Sequence, residues 1–119
     1  MTYQEVRELA ESFGLPCAYY QFAQDTAQPP PFLCWFFSGS DDFFADDSNY
    51  QRVRQLNMEL YTTRKAFDLE EAIESRLEAL HLPYYKEETF LDKERMHMTS
   101  YEMELVINSP KEVTPNGRK

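Results

Sequence analysis

Hydrophobic residues recur at helical spacing in two stretches of the chain. The first stretch predicts a helix over residues 3–13, because apolar positions three or four apart fall on one face of a helix. Thr2 and Glu5 have the spacing of a capping box, in which hydroxyl and carboxylate satisfy free N–H groups of the first turn. Gly14 then supplies a left-handed stop. The predicted apolar face consists of Tyr3, Val6, Leu9, Ala10 and Phe13.

The second stretch predicts a helix over residues 69–81. Asp68 precedes it as the expected cap, with Glu71 three residues on, and Phe67 and Ala72 occupy the positions of a hydrophobic staple. The buried stripe is expected to contain Leu69, Ala72, Ile73, Leu77 and Leu80. The side chains expected to face water are Glu70, Glu71, Glu74 and Glu78.

Shorter stretches, over residues 17–23, 32–37, 53–62, 84–91 and 96–108, are typical of β-strands. The third stretch alternates cleanly and predicts a half-buried strand, with Leu56, Met58 and Leu60 opposite Gln55, Asn57, Glu59 and Tyr61. The last stretch alternates in the same way, with Tyr101, Met103, Leu105 and Ile107 opposite Glu102 and Glu104.

The order of these elements predicts an α+β domain, in which two helices pack on a mainly antiparallel sheet of about five strands. We expect a single domain over residues 1–110 and a flexible tail over 111–119, which has no pattern. The segment 32–37 is apolar on both faces, as in a strand covered on two sides. Two helices can cover only one face of one sheet, which conflicts with a strand that is apolar on both faces. A partner subunit packed on the other face would resolve this conflict.

A long loop, residues 38–50, separates the second and third predicted strands, which are expected to pair as a hairpin around it. The loop holds four carboxylates and three aromatic rings, and no basic residue occurs before Arg52. Exposed rings of this kind are typical of a surface that another protein covers. We therefore predict an interface, in which the aspartates select a basic rim. Its residues are Asp41, Asp42, Phe43, Phe44, Asp46, Asp47, Tyr50, Arg52 and Arg54.

Composition narrows the class of protein. The chain has 119 residues, of which 42% are hydrophobic and 15% aromatic, so one globular core is expected. Its formal net charge of −9 disfavours direct binding to nucleic acid. Cys17 and Cys34 are expected to be buried free thiols. No apolar run approaches the roughly 20 residues that span a bilayer, and we expect no membrane partner.

Motifs for catalysis or cofactor binding do not emerge from the sequence. The three glycines are too scattered for a phosphate-binding loop, and His81 and His97 lack zinc-site spacing with the cysteines. The four aspartates fail the spacing of a calcium loop, because Phe43 and Phe44 stand in its middle. The sequence therefore predicts no enzyme activity, no metal and no cofactor.

Four pieces of the chain together resemble a known protein family. In their order, they are similar to the small tail proteins of long-tailed phages and prophages of Gram-positive bacteria, the tail terminator, tail-completion and head–tail joining group. The pieces are Tyr3–Leu9 with Gly14–Pro16, Pro29–Trp35, Asp42–Tyr50 running into Gln55–Tyr61, and Leu82–Phe90.

The resemblance implies a structural role in the virion. Such proteins form a ring, typically hexameric, that caps the tail tube and presents a docking surface for the head. The expected partners are copies of the chain itself, the tail-tube protein and a head-completion protein. The expected location is the head–tail junction, after synthesis in the cytoplasm of the bacterial host. The resemblance leaves open whether the chain is a terminator, a joining protein or another minor tail component.

Two other classes of function remain open at this point. An acidic inhibitor that imitates nucleic acid would carry its negative charge as a spaced track on one face. A small enzyme or ligand-binding α+β module would have a deep pocket with convergent polar groups.

Overall fold

A sheet of five strands, ordered β1-β2-β5-β7-β6, organises the protein in a computed structural model that describes residues 1–23, 27–40, 43–45 and 48–108. For residues 43–45 and 48–51 the description is of the backbone. The elements are α1 (Tyr3–Glu11), β1 (Cys17–Tyr19), β2 (Phe32–Ser40), β3 (Phe43–Ala45), β4 (Ser48–Gln51), β5 (Val53–Thr62), α2 (Phe67–Ala79), β6 (Tyr85–Leu91) and β7 (Met96–Val106).

The predicted α+β class is confirmed, and the sheet is mainly antiparallel. β1 pairs with β2 in parallel, whereas the β2–β5, β5–β7 and β6–β7 pairs are antiparallel. The alternation read from the sequence is also confirmed, since Leu56, Met58 and Leu60 are buried on the same face as Tyr101 and Met103.

Several predicted boundaries are wrong by a few residues. α1 ends at Glu11, because the Ser12 N–H turns to bond the carbonyl of Leu9. β1 ends at Tyr19, because Tyr20 adopts a left-handed backbone with φ 71°. The capping box of Thr2 and Glu5 is present as predicted.

The segment expected to be a long loop contains regular backbone structure. β2 continues past the predicted end to Ser40, which still pairs with Arg54 of β5. The β3 and β4 backbones then pair antiparallel as a separate two-stranded sheet. β2 and β5 therefore form the predicted hairpin, and β3 and β4 form a smaller hairpin between them.

Both helices pack on one face of the five-stranded sheet, which we call the helix face. Val6 and Leu9 of α1 and Ile73 and Leu77 of α2 belong to one buried cluster with inward residues of β2, β5 and β7. The sheet residues of this cluster are Leu33, Trp35, Leu56, Met58, Leu60, Tyr101, Met103 and Leu105.

The predicted cap of α2 and part of its predicted buried stripe are wrong, although Ile73 and Leu77 are buried as expected. Ala66, with no side-chain hydrogen bond, caps the helix instead of Asp68. Phe67 is 70% exposed, so it forms no staple with Ala72, which is exposed as well. Glu70, expected in water, is 3% exposed, because lysines from outside the helix neutralise it beneath α2.

The packing of α2 gives a first prediction. Ile73→Ala should lower the free energy of unfolding by about 2–5 kcal/mol, because it removes a fully buried side chain from between helix and sheet. Urea denaturation measures this loss. Glu71→Ala, at an exposed position of the same helix, should change the free energy by less than about 0.5 kcal/mol. Equal effects of the two variants would contradict the described orientation of α2.

Candidate assembly interface

The interface residues predicted from the sequence fall into three groups. Asp41, Asp42, Asp46 and Asp47 lie outside the described residues. Phe43 and Phe44 belong to the β3 backbone and Tyr50 to that of β4, so the smaller hairpin brings these positions together. Arg52 and Arg54 lie where that hairpin joins β5.

The two arginines are fixed by the sheet backbone. The carbonyl of Arg52 accepts a hydrogen bond of 2.8 Å from the N–H of Ile107. Arg54 pairs with Leu105 of β7, and its guanidinium donates to the carbonyl of Val53. The base of the smaller hairpin is therefore anchored to both β5 and β7.

The second face of the sheet, which we call the open face, carries no helix among the described residues. Alternation places Phe32, Cys34 and Phe36 of β2 on this face, opposite Tyr61, Glu59 and Asn57 of β5 in the antiparallel register. The sequence already showed that residues 32–37 are apolar on both faces of the strand. It could not show which rings share a face.

Aromatic rings cluster at the β1–β2 side of the open face. Phe32 stacks on Tyr61 with ring centroids 4.8 Å apart, and Phe22 meets Phe32 edge-on at 5.4 Å. Tyr20 lies 4.9 Å from Phe36 and is 62% exposed. Together these rings border a depression of about 500 Å³, which we call the aromatic basin.

The β7 side of the open face carries acidic side chains. Glu102 pairs with Asn57 and Glu104 pairs with Gln55, and both glutamates are exposed. A second depression, of about 550 Å³, lies between these residues and Tyr85. The open face therefore combines aromatic rings on its β1–β2 side with exposed carboxylates on its β7 side.

Comparison with protein-family models gives no match for this chain, and comparison with curated proteins gives none either. Neither helix of the described residues is long and apolar enough to cross a bilayer.

A cluster of charged groups lies on the helix face, between α2 and β6. Lys65 Nζ is 2.6 Å from Glu70 Oε2 and also forms an ion pair with Glu88. Lys86 Nζ lies 2.9 Å from Glu70 Oε1 and 2.7 Å from Glu74 Oε2. These contacts join α2 to β6 and to the segment that precedes α2. We call the five residues the ion-pair cluster.

The ion-pair cluster extends into the core through Tyr101, whose hydroxyl donates a hydrogen bond of 2.7 Å to Glu74 Oε2. Burial and then this hydrogen bond raise the pKa of Tyr101. Sequence reasoning missed the cluster, because the partners of Glu70 and Glu74 come from distant segments. The spacing of residues within α2 therefore gives no indication of these partners.

Two opposing effects set the pKa values of Glu70 and Glu74. Burial raises the pKa of Glu70, but hydrogen bonds and charge from Lys65 and Lys86 outweigh it, so the net shift is downward. The pKa of Glu74 is likewise lowered by Lys86 and Tyr101 against the effect of burial. Both groups therefore stay ionised beneath the helix, which suits a structural ion pair.

The cysteines lie on opposite faces of the sheet. Cys17 pairs with Leu33 on the helix face, whereas Cys34 lies on the open face, and both thiols are free. Cys34 is buried as predicted, but Cys17 is only half-buried, because it lies on the edge strand β1. Burial, followed by the charge of Glu59, raises the pKa of Cys34 to about 11.

Metal-ligating side chains do not gather in the described part of the chain, where no group of three or more His, Cys, Asp and Glu could hold an ion. His97 packs edge-on against Phe90 at 5.0 Å, as a residue at the rim of the core.

The ion-pair cluster gives a second prediction, on pH dependence. Since the folded pKa values of Glu70 and Glu74 are lowered, their stabilising effect is complete above the unfolded value of about 4.3. It is lost as the pH falls through the folded values. The urea midpoint should therefore fall steadily on acidification from about pH 5 to pH 3.

The control is a pair of matched variants on α2. Glu70→Gln should cost about 1–3 kcal/mol at pH 7, since it leaves lysines without their carboxylate, and it should flatten the acid limb of the stability curve. Glu71→Gln, at an exposed position, should follow the wild type. An acid limb as steep in Glu70→Gln as in wild type would contradict the assignment.

Proposed function

We propose that this chain is a structural assembly protein of a phage tail, which forms a ring that caps the tail tube and joins it to the head. The observation that supports it most is the hairpin of β2 and β5, between whose strands the β3–β4 backbone pair carries Phe43 and Phe44. The proposal also rests on the resemblance of the chain to tail terminator and head–tail joining proteins.

A ring of identical subunits needs two unlike patches on each copy, because a heterologous contact repeats around a closed cycle. The smaller hairpin supplies one patch, at an end of the long β2–β5 pair. The open face, with its aromatic basin, supplies an apolar area that a neighbouring copy or the tube protein covers. The elongated outline, 51 × 29 × 26 Å, suits a subunit that reaches a neighbour.

The other properties of the proposal follow from the same role. The ring, expected to be a hexamer, acts at the head–tail junction of the virion after synthesis in the host cytoplasm. Its partners are copies of itself, the tail-tube protein and a head-completion protein. Its acidity, net −9, lets DNA pass without binding.

The direct test is replacement of the hairpin rings. Phe43→Ser with Phe44→Ser should reduce assembly at least tenfold, measured as the protein concentration at which light scattering detects the oligomer. The monomer should keep its free energy of unfolding within about 0.5 kcal/mol, because these rings serve a contact between subunits.

Phe67→Ser is the matched control, because it removes a ring that is 70% exposed on the helix side. It should assemble as the wild type does. Unfolding of the double hairpin variant would place its rings in the core and contradict the proposal. Wild-type protein that stays monomeric at all concentrations, with and without tail-tube protein, would contradict it as well.

The acidity gives a separate prediction. Fluorescence anisotropy with a short DNA duplex at low salt should show no binding, since a net charge of −9 repels the phosphates. Tight binding that weakens steeply with added salt would contradict the proposed passive channel for DNA.

An acidic inhibitor is the second candidate, because Glu59, Glu102 and Glu104 share the open face. A protein of this class would displace duplex DNA from a nuclease. Competition between the purified chain and labelled duplex on a panel of nucleases distinguishes it from a tail ring.

A further inference from the structure

The aromatic basin has the form of a binding site whose ligand the ring proposal does not specify. Its walls are the Tyr20–Phe36 pair on one side and the Phe22, Phe32 and Tyr61 rings on the other. Its floor is Cys34, which is 4% exposed and lies between Phe32 and Phe36 on the same strand face. The basin is therefore a cleft lined by five aromatic rings around one space.

One carboxylate lies among these rings. Glu59 stands directly across from Cys34 in the β2–β5 register and lines the basin. Its Oε1 accepts a hydrogen bond of 2.7 Å from the Tyr61 hydroxyl, which orients the carboxylate. Within the described residues, no lysine or arginine forms an ion pair with Glu59, in contrast to Glu70 and Glu74 on the other face.

This combination selects organic cations. Aromatic faces attract a cation through the ring quadrupole, by about 0.5–2 kcal/mol for each good contact. A half-buried carboxylate adds charge attraction and a hydrogen-bond acceptor, and a cation that covers it offsets its desolvation. A planar guanidinium fits best, because it stacks on rings while it donates to a carboxylate.

We propose that the aromatic basin binds an arginine side chain of a basic partner polypeptide. The partner is a polypeptide because further carboxylates, Glu102 and Glu104, are exposed on the same face of the sheet, where Glu102 pairs with Asn57 and Asn57 pairs with Phe36 of the basin. A free cation would leave these carboxylates uncovered, whereas further basic residues of a polypeptide pair with them. The inference holds for any basic partner and does not depend on the tail-ring proposal.

Isothermal titration of the full chain tests the proposal with two synthetic peptides. One is acetyl-Gly-Leu-Arg-Leu-Arg-Gly-amide, and the other has citrulline, the uncharged isostere, in place of both arginines. The arginine peptide should bind at least about tenfold more tightly, since one cation–π contact and one charged hydrogen bond together exceed 1.4 kcal/mol. Equal binding of the two peptides, or no binding of either, overturns the proposal.

Variants of the basin locate the site. Glu59→Gln and Phe36→Leu should each weaken binding of the arginine peptide about tenfold, whereas Glu71→Gln, the same charge change on α2, should leave it unchanged. Unaltered binding by Glu59→Gln overturns the assignment. Circular dichroism checks folding, and Tyr61→Phe, which removes the hydroxyl that orients Glu59, replaces any variant that does not fold.

A third titration distinguishes a polypeptide from a small molecule as the source of the cation. Ethylguanidinium, which has the head group without a chain, should bind at least tenfold more weakly than the arginine peptide, because it cannot reach Glu102 and Glu104. Equal or tighter binding of ethylguanidinium would assign the basin to a small molecule and overturn the polypeptide partner.

Discussion

The packing of both helices on one face of the sheet is the constraint on which the other features depend. It places the alternating apolar residues of β5 and β7 in a single core. The side chains on the opposite side of each strand therefore lie on the open face. For β5 and β7 that side is largely polar, with Glu59, Glu102 and Glu104. For β2 it is not, because Phe32 and Phe36 face outward there. The aromatic basin thus results because β2 is apolar on both faces, whereas the helices cover only one face of the sheet.

The sequence predicted the parts of this fold that local periodicity determines. The α+β class, the capping box of α1, the inward set of β7 and the pairing of β2 with β5 are all confirmed. In α2, periodicity predicted the burial of Ile73 and Leu77 but was wrong for Glu70, which is buried although its position reads as solvent-facing. The compensating charge comes from Lys65 and Lys86, and their positions depend on strand pairing rather than on spacing within the helix. For the candidate interface, the sequence identified unusual composition but not the ring geometry of the basin, which arises from β1, β2 and β5 together.

The two faces of the sheet use charge in opposite ways. On the helix face, two lysines neutralise Glu70 and Glu74, and these ion pairs attach α2 to β6. On the open face, the carboxylates have no such partners among the described residues, and aromatic rings adjoin them. The first arrangement stabilises the subunit, whereas the second suits recognition of a positively charged surface. This difference explains why we assign binding to the open face and structure to the ion-pair cluster.

The central proposal is that the protein assembles and that its open face becomes covered when it does. Hydroxyl-radical footprinting with mass spectrometry, on the isolated subunit and on the oligomer, measures this directly. Tyr20, which is 62% exposed, and Phe36 should be oxidised several-fold more slowly in the oligomer, whereas Tyr3 and Phe67 on the helix side should be oxidised at the same rate. Protection of Tyr3 and Phe67, with Tyr20 and Phe36 unchanged, would contradict the account.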